Sequence, residues 1–287
     1  MSSFEAKFYE PRTEGTVRCL LCPHFCEIPQ GNVGKCGVRS NYKGKLFADS
    51  FAKVNSVALD PIEKKPLHFF HPGSWILSVG TFGCNLDCPF CQNHRSVRQR
   101  LDINPDNLMP SALAVLAKKY ASRGNIGVAY TYNEPLVGYE YVYECAKQVK
   151  ILGLKNILVT NGFINPEPLN ELLPLVDAMN IDLKGFTQDF YVKLGGELEA
   201  VKQAITIAAG ACHVEVTMLV VPGENENDIE EAAKWIAKIS PEIPMHITRF
   251  FPRYKYASHM PTPIETLQEA ALNVKKHLSN VVIGNVK

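Results

Sequence analysis

No apolar run in this sequence approaches the roughly 20 residues that span a bilayer, and no tract of lysine and arginine gathers into a basic patch. The first absence leaves no candidate for a membrane-spanning helix. The second argues against nucleic acid or a membrane surface as an obligatory partner. The opening Met1-Ser2-Ser3-Phe4-Glu5 lacks a charged stretch leading into an apolar one, so it does not read as a secretory signal. No G-x-G-x-x-G follows the first strand of the later β/α alternation, which leaves a dinucleotide-binding fold unsupported. Few stretches are low in complexity, and the formal charge is only +1. With 46% apolar residues over 287 positions, the chain has the makings of a sizeable core in one large domain, or one domain with an appendage.

Cysteine is what the sequence has in number. Seven of the nine fall in two tight groups, a pattern that suits metal ligation in a reducing compartment better than a disulfide framework. The cytoplasm is therefore the expected location. The central group is Cys84-Asn85-Leu86-Asp87-Cys88-Pro89-Phe90-Cys91, spaced C-x3-C-x2-C, after an apolar strand-like run at 75–79 that ends in Gly80-Thr81-Phe82-Gly83. Soft thiolates suit iron–sulfur clusters, and a fully ligated [4Fe–4S] cluster takes four ligands. Cys84, Cys88 and Cys91 would leave one iron open to chemistry. A zinc knuckle lacking its fourth ligand and a disulfide with a spare thiol are the bland alternatives; zinc sites usually pair cysteines as C-x2-C, so the x3 gap counts against the first.

The other group is Cys19, Cys22, Cys26 and Cys36, spaced C-x2-C-x3-C-x9-C with Gly31, Gly34 and Gly37 to turn the chain back. So short a segment cannot build its own core, and a metal staple is the natural explanation. Structural zinc, a second iron–sulfur cluster and unligated thiols all remain open, with His24 able to replace one thiolate. Cys145 and Cys212 read as buried small apolar residues.

Residues 46–48 and 54–59 are strand-like, and 66–73 form a linker in which His68 and His71 read as partly packed loop side chains. From residue 75 onward, strands alternate with helices. Strands are expected at 75–79, 126–130, 156–159, 178–183, 213–221 and 245–250, and a further short one at 281–283. Helices are expected at 111–122, 136–152, 166–175, up to 209, 226–239 and 263–278. Six strands in alternation imply a parallel sheet with helices outside it. The expected division is a Cys-rich, metal-stapled segment with its linker at 1–73 and a partial barrel at 74–287. In such barrels the site lies at the C-terminal strand ends. Here those ends carry Thr131-Tyr132-Asn133-Glu134-Pro135, Thr160-Asn161-Gly162, Asp182-Leu183-Lys184-Gly185, Val221-Pro222-Gly223, and the set His246, Thr248 and Arg249. Five polar or glycine-rich ends in register point to a single site.

The cysteine loop, with an aromatic before its last cysteine, resembles the signature of radical S-adenosylmethionine (SAM) enzymes. The resemblance implies an α/β fold, a partial (β/α)6 TIM-like barrel. It also implies a [4Fe–4S] cluster whose open iron is chelated by the amino and carboxylate groups of SAM. An electron from the reduced cluster, delivered by a donor such as flavodoxin or ferredoxin, then cleaves a carbon–sulfur bond and releases a carbon radical. Asn133 and Glu134 occupy the place of the family's Gly-Gly-Glu motif, which holds the SAM ammonium, though only the Glu-Pro part matches. Thr160 and Asn161 are the candidates for the ribose, and Phe90, Val220 and Val221 for the adenine wall. Asp182 and Lys184 are placed to set charge near the SAM carboxylate, and His246 and Arg249 to face the substrate. Each has a structural alternative: Glu134-Pro135 a helix start, Asn161-Gly162 a tight turn, Asp182 and Lys184 a rim ion pair.

Thr160-Asn161-Gly162, Asp182-Leu183-Lys184 and Val221-Pro222-Gly223 also resemble the activases of glycyl-radical enzymes, although Val159 stands where those often carry a cation-binding aspartate. A nearer resemblance is to the AmmeMemoRadiSam group of pyruvate formate-lyase-activating-enzyme homologues. Its marks are Cys19-Leu20-Leu21-Cys22-Pro23-His24-Phe25-Cys26, Gly34-Lys35-Cys36-Gly37-Val38-Arg39, Thr131-Tyr132-Asn133-Glu134-Pro135, Arg249-Phe250-Phe251-Pro252-Arg253-Tyr254-Lys255 and Ile283-Gly284-Asn285-Val286. Many members of that group continue into a tail with a further cysteine pair, whereas this sequence stops at Lys287. The resemblance implies a catalyst acting on a small or nucleobase-like molecule, with Memo-like and AMMECR-type proteins as pathway partners. An activase acting on a glycine of a large partner enzyme is the alternative, and a plain electron carrier a third.

Overall fold

The computed structural model describes residues 4–97 and 106–286, so the readings made on Met1–Ser3 and Lys287 lie outside the described residues. Its centre is an eight-stranded sheet. In chain order the strands are β1 (Ser56–Pro61), β2 (Trp75–Gly80), β3 (Asn125–Tyr130), β4 (Lys155–Thr160), β5 (Ala178–Asp182), β6 (His213–Val220), β7 (Met245–Arg249) and β8 (Val281–Gly284). The spatial order follows the chain from β1 at one edge to β8 at the other. Strands β2 to β8 pair in parallel, and β1 runs antiparallel to β2. Helices α1 (Pro110–Lys119), α2 (Tyr139–Ile151), α3 (Pro166–Leu172), α4 (Leu198–Ala209), α5 (Ile229–Ile239) and α6 (Ile264–Val274) fill the crossovers. Prolines stand in the first turns of α1 and α3, where a missing N–H costs nothing.

The expected six β/α units are present, and the sheet is one antiparallel strand wider than the alternation implied. Residues two apart on a strand share a face. Leu77, Val79, Val128, Tyr130, Leu158, Met179, Ile181, Val216, Met218 and Ile247 face outward and pack with the helices in the main core. The alternate residues Ile76, Ala129, Ile157 and Ala178 face inward and form a second, smaller cluster with Ile62 and Leu67. Gly127 lets β3 approach β4 closely: a Cβ there would sit 1.9 Å from the Lys155 carbonyl oxygen.

Ile62 and Leu67 belong to the stretch between β1 and β2, so this linker is a plug at the N-terminal end of the barrel. Its polar anchor is Glu215 on β6, fully buried. The Glu215 carboxylate accepts from the backbone N–H of His68 (3.0 Å) and of Phe69 (2.8 Å), and it pairs with His213 Nε2 (2.9 Å) and His246 Nε2 (2.6 Å). Asn180 Nδ2 on β5 donates to the Pro66 carbonyl at 2.9 Å. Every anchor lies on the inner face of a strand.

The N-terminal segment forms two small antiparallel sheets. One orders Tyr9–Pro11, Val17–Cys19 and Glu27–Ile28; the other orders Phe4–Glu5, Lys45–Ala48 and Arg39–Tyr42. It is sealed to the barrel by a buried ion pair. Arg39 Nη1 donates to both Glu140 oxygens at 2.9 and 3.1 Å, and both side chains are 1% exposed. Arg39 Nη2 also donates to the Lys7 carbonyl oxygen at 2.7 Å. No helix among the described residues is long and apolar enough to cross a membrane.

Candidate active site

The cysteine loop leaves β2 at the C-terminal end of the sheet. Cys84, Cys88 and Cys91 line a cavity of about 350 Å³ together with Glu134, Asn161, Asp182, Lys184, Thr217 and Thr248 from the ends of β3 to β7. One compartment therefore gathers residues from five strands, although the Val221-Pro222-Gly223 end of β6 is not among them. Burial pushes the Cys88 thiol up to about 11, against the pull of Lys184. Burial raises Cys84 further, and the nearby Glu134 adds to it. Such thiols hold their protons at neutral pH unless a metal centre, which they would ligate, supplies the compensating charge.

These residues fit a [4Fe–4S] cluster. The donor set is three soft sulfurs on one cavity wall. N–H groups are aimed at one of them, from Leu86 N (3.4 Å) and Asn161 Nδ2 (3.6 Å) to Cys84 Sγ.

The neighbours of this wall have defined tasks. Asn133 braces the loop: its Oδ1 accepts from Thr81 N at 2.9 Å, and its Nδ2 donates to Phe82 O at 2.9 Å and Gly83 O at 3.2 Å. Glu134 accepts from Leu136 N (3.0 Å), Thr160 Oγ1 (2.7 Å) and Asn161 N (2.7 Å), which combines the helix-start reading with a clamp on the end of β4. Burial raises its carboxyl to about 7, and those three donors only partly oppose the rise. Lys184 Nζ meets Asp182 at 2.7 Å on the cavity wall. Although burial works against its charge, Asp182 and Cys88 raise the Lys184 ammonium above its ordinary value.

Not every expected residue reaches the cavity. Phe90 lines it and packs with Phe190, Leu194 and Phe250; Val221 belongs to that same apolar cluster but stands behind the wall. His246 shares its face with Thr248, yet lies two residues deeper, about 7 Å along the strand, and its Nε2 is held by Glu215 at 2.6 Å. It anchors the plug instead of facing the cavity. Arg249 turns outward, with its Nε on the Thr262 carbonyl at 2.8 Å and its guanidinium over Phe251.

Sequence reasoning missed a second basic group in the cavity lining. Lys65, 3% exposed, lines the cavity, with Nζ 2.9 Å from Asp60 and 4.6 Å from the centre of the Tyr132 ring. Tyr132 Oη donates to Asp60 at 2.6 Å. Although burial works against it, those two partners hold the Asp60 carboxyl well below its ordinary value. Tyr132 keeps φ at +72°, a strained conformation for a bulky residue. The only sequence cue is that the run Glu63-Lys64-Lys65 abuts a linker.

The N-terminal cysteines form a separate, smaller compartment. Cys19, Cys22, Cys26 and Cys36 line one cavity with His24 and Arg39. All are free of disulfides. His24 Nε2 is engaged by the Asn85 carbonyl at 2.7 Å, which ties this group to the catalytic loop. Cys145 is buried and Cys212 half-buried.

Comparison with known proteins places this architecture. Residues 78–236 match the family described as the Radical SAM superfamily. An uncharacterised protein, MJ0808, from Methanocaldococcus jannaschii is 41% identical, over 98% of this chain and 85% of its own. The mitochondrial GTP 3′,8-cyclase of Arabidopsis thaliana is 26% identical, over 71% of this chain and 54% of its own. Pyruvate formate-lyase 1-activating enzyme of Escherichia coli K12 is 26% identical, over 51% and 61%. Among solved structures, a radical SAM methyltransferase from Sphaerobacter thermophilus superposes with a TM-score of 0.54 at 14% identity, over 76% of this chain and 68% of its own. With its three-cysteine loop opening on the strand-end cavity and the family match covering more than half its length, the chain belongs to the radical SAM superfamily of iron–sulfur, SAM-dependent enzymes.

Proposed function

We propose that this protein cleaves SAM reductively to start radical chemistry on a small polar molecule. The observation that carries the reading is one cavity lined both by linker residues, Lys65 and Pro66, and by the Asp182–Lys184 pair, with the apolar plug cluster beneath. When bound, a reduced [4Fe–4S] cluster supplies the electron that breaks a carbon–sulfur bond of SAM. The chain's own residues position and shield. Cys84, Cys88 and Cys91 would hold the cluster. Glu134 and Asp182 offer carboxylate oxygens to the SAM ammonium, with Asn161 beside them for a ribose hydroxyl. Phe90 gives the purine an apolar wall. Lys65 and Lys184 supply cations for a substrate carboxylate or phosphate, and the apolar cluster beneath excludes water from the N-terminal side.

A second reading is activation of a glycyl-radical enzyme, favoured by the likeness to pyruvate formate-lyase 1-activating enzyme. The small-molecule reading is supported by the apolar cluster beneath the cavity and the buried charges. Flavodoxin- or ferredoxin-type proteins are the proposed electron donors, and Memo-like and AMMECR-type proteins the proposed pathway partners in the AmmeMemoRadiSam grouping. The test is anaerobic incubation with SAM and dithionite, with and without a panel of nucleotides and other anionic metabolites, followed by product analysis. Stimulation of 5′-deoxyadenosine formation by a small molecule that is itself altered is expected. Stimulation only by a glycyl-radical partner protein would overturn the small-molecule reading.

A further inference from the structure

We propose that Lys64, Lys65 and Tyr132 form a subsite at the linker end of the cavity for the terminal oxyanion of the substrate, a carboxylate or a phosphate. This subsite rests on the small-molecule reading above and narrows it, since it gives the anion to the two linker lysines and leaves Lys184 with Asp182.

The local sequence builds it. Ile62–Lys64 is a single 3-10 turn directly after β1, closed by Lys65 N on the Ile62 carbonyl at 2.8 Å. The turn folds both lysines back onto β1: Lys64 Nζ meets Asp60 Oδ1 at 3.2 Å, and Lys65 Nζ meets Asp60 Oδ2 at 2.9 Å. Tyr132 closes the third side. Gly80 makes room for it, because a Cβ there would sit 3.0 Å from Tyr132 Cδ2. The φ of +72° at Tyr132 is strain that persists only where the surroundings over-determine a position, as they do at ligand sites.

The partners at this end do not balance. One carboxylate, Asp60, serves two ammonium groups and a phenol, whereas Asp182 faces the single ammonium of Lys184. An ammonium carries three donors and no acceptor. Among the described residues Lys65 has Asp60 as its one hydrogen-bond acceptor, with the Tyr132 ring face at 4.6 Å, and it is 3% exposed. The rest of its N–H bonds lack a protein acceptor, on a side chain that lines the cavity. Burial lowers this ammonium below its ordinary value in spite of Asp60. A ligand oxyanion supplies the missing acceptors and charge. Lys64 lines the same cavity with its side chain 67% exposed, so this end meets water at the β1 edge. Lys64 meets an arriving anion, and Lys65 holds it.

Depth separates this subsite from the cofactor end. Asp60 pairs with Ile76, four residues before β2 ends at Gly80, so its Cα lies roughly 13 Å below the strand end. The cysteines stand beyond that end, and Lys184 lines the cavity with them. A cofactor seated on the sulfurs leaves the linker end to the other ligand.

The test uses the full chain reconstituted anaerobically with its cluster and supplied with SAM, titrated with sodium phosphate or sodium acetate at constant ionic strength. Affinities come from the concentration dependence of the melting temperature. Saturable stabilisation by at least one of the two anions is expected, and the tighter one identifies the terminal group. Lys65→Met should weaken that anion at least about tenfold. Lys64→Ala should cost less, because water already solvates its head, and Lys184→Met should change the affinity less than about twofold. Asp60→Asn removes the competing carboxylate and should tighten binding at least about threefold, a gain that a purely structural anchor would not give. This variant decides if Lys65→Met fails to fold. Stabilisation by neither anion, an equal loss in Lys184→Met, or weaker binding in Asp60→Asn would overturn the subsite. SAM cleavage to 5′-deoxyadenosine with neither anion bound would overturn it while leaving the proposed function standing. An anion bound through Lys65 in a protein that cleaves no SAM would support the subsite and count against that function.

Discussion

Replacing Glu215 by alanine tests whether the linker is held as a plug. The carboxylate sits at zero exposure and takes four donors: two imidazoles and the backbone N–H groups of His68 and Phe69. Alanine leaves those two backbone donors without an acceptor inside the barrel, each worth about 1–3 kcal/mol, and it removes the buried partner of His246. Breaking a buried, hydrogen-bonded charge arrangement costs about 3–5 kcal/mol, and the same range is expected here. In a chain of this size that lowers the melting temperature by roughly 10 °C, read in an anaerobic thermal melt. Glu215→Gln should lose most of the same stability, because its amide nitrogen faces donors. A loss below about 1 kcal/mol in both variants would show that the linker is not held in this way.

The remaining predictions are independent. Burial alone would raise the Glu215 carboxyl, but His213, His246 and the Phe69 N–H hold it at about 2, below its ordinary value of 4.5. Its contribution is therefore fully present above pH about 4.5 and lost as pH falls towards about 2, on the order of 3 kcal/mol; urea titrations across that window should show a slope that Glu215→Gln lacks. Cys84→Ala, Cys88→Ala and Cys91→Ala should each abolish SAM cleavage, measured as 5′-deoxyadenosine, and full activity in any of them refutes the ligand assignment. Glu140→Ala strands a buried guanidinium and should cost about 3–5 kcal/mol, whereas Arg39→Met with Glu140→Leu should recover much of it; equal melts for single and double variants contradict the pairing. Gly83→Ala, at φ +84° and against the Cys36 carbonyl, should cost more than about 1 kcal/mol, and a wild-type melt would show that the two cysteine segments do not touch there.

The sequence made the barrel legible because its strands are long, apolar and regularly spaced, and because polar strand ends recur in register. Asp182, Lys184, Glu134 and Asn161 were found by that rule, and all line the cavity. The rule fails for His246, because a strand position does not report depth: two residues decide between the wall and the plug. Lys65 was not found because its partners Asp60 and Tyr132 lie 5 and 67 residues away in sequence, and no local pattern joins them. Arg39 was noticed only within a motif, and its partner Glu140 lies 101 residues away.

The central sheet runs from β1 to β8 without those two strands pairing with each other. A closed barrel fixes its diameter by strand number and stagger; an open one has no such hoop. Here the curvature is held from within, by the segment anchored to Glu215 and Asn180 and by the apolar residues around it. The width of the mouth above is then a property of that internal bung, adjustable by the length and bulk of a dozen residues that bear no cysteine. Relatives that share the cysteine loop can therefore differ in aperture, and so in the size of what they admit, without a change in any strand.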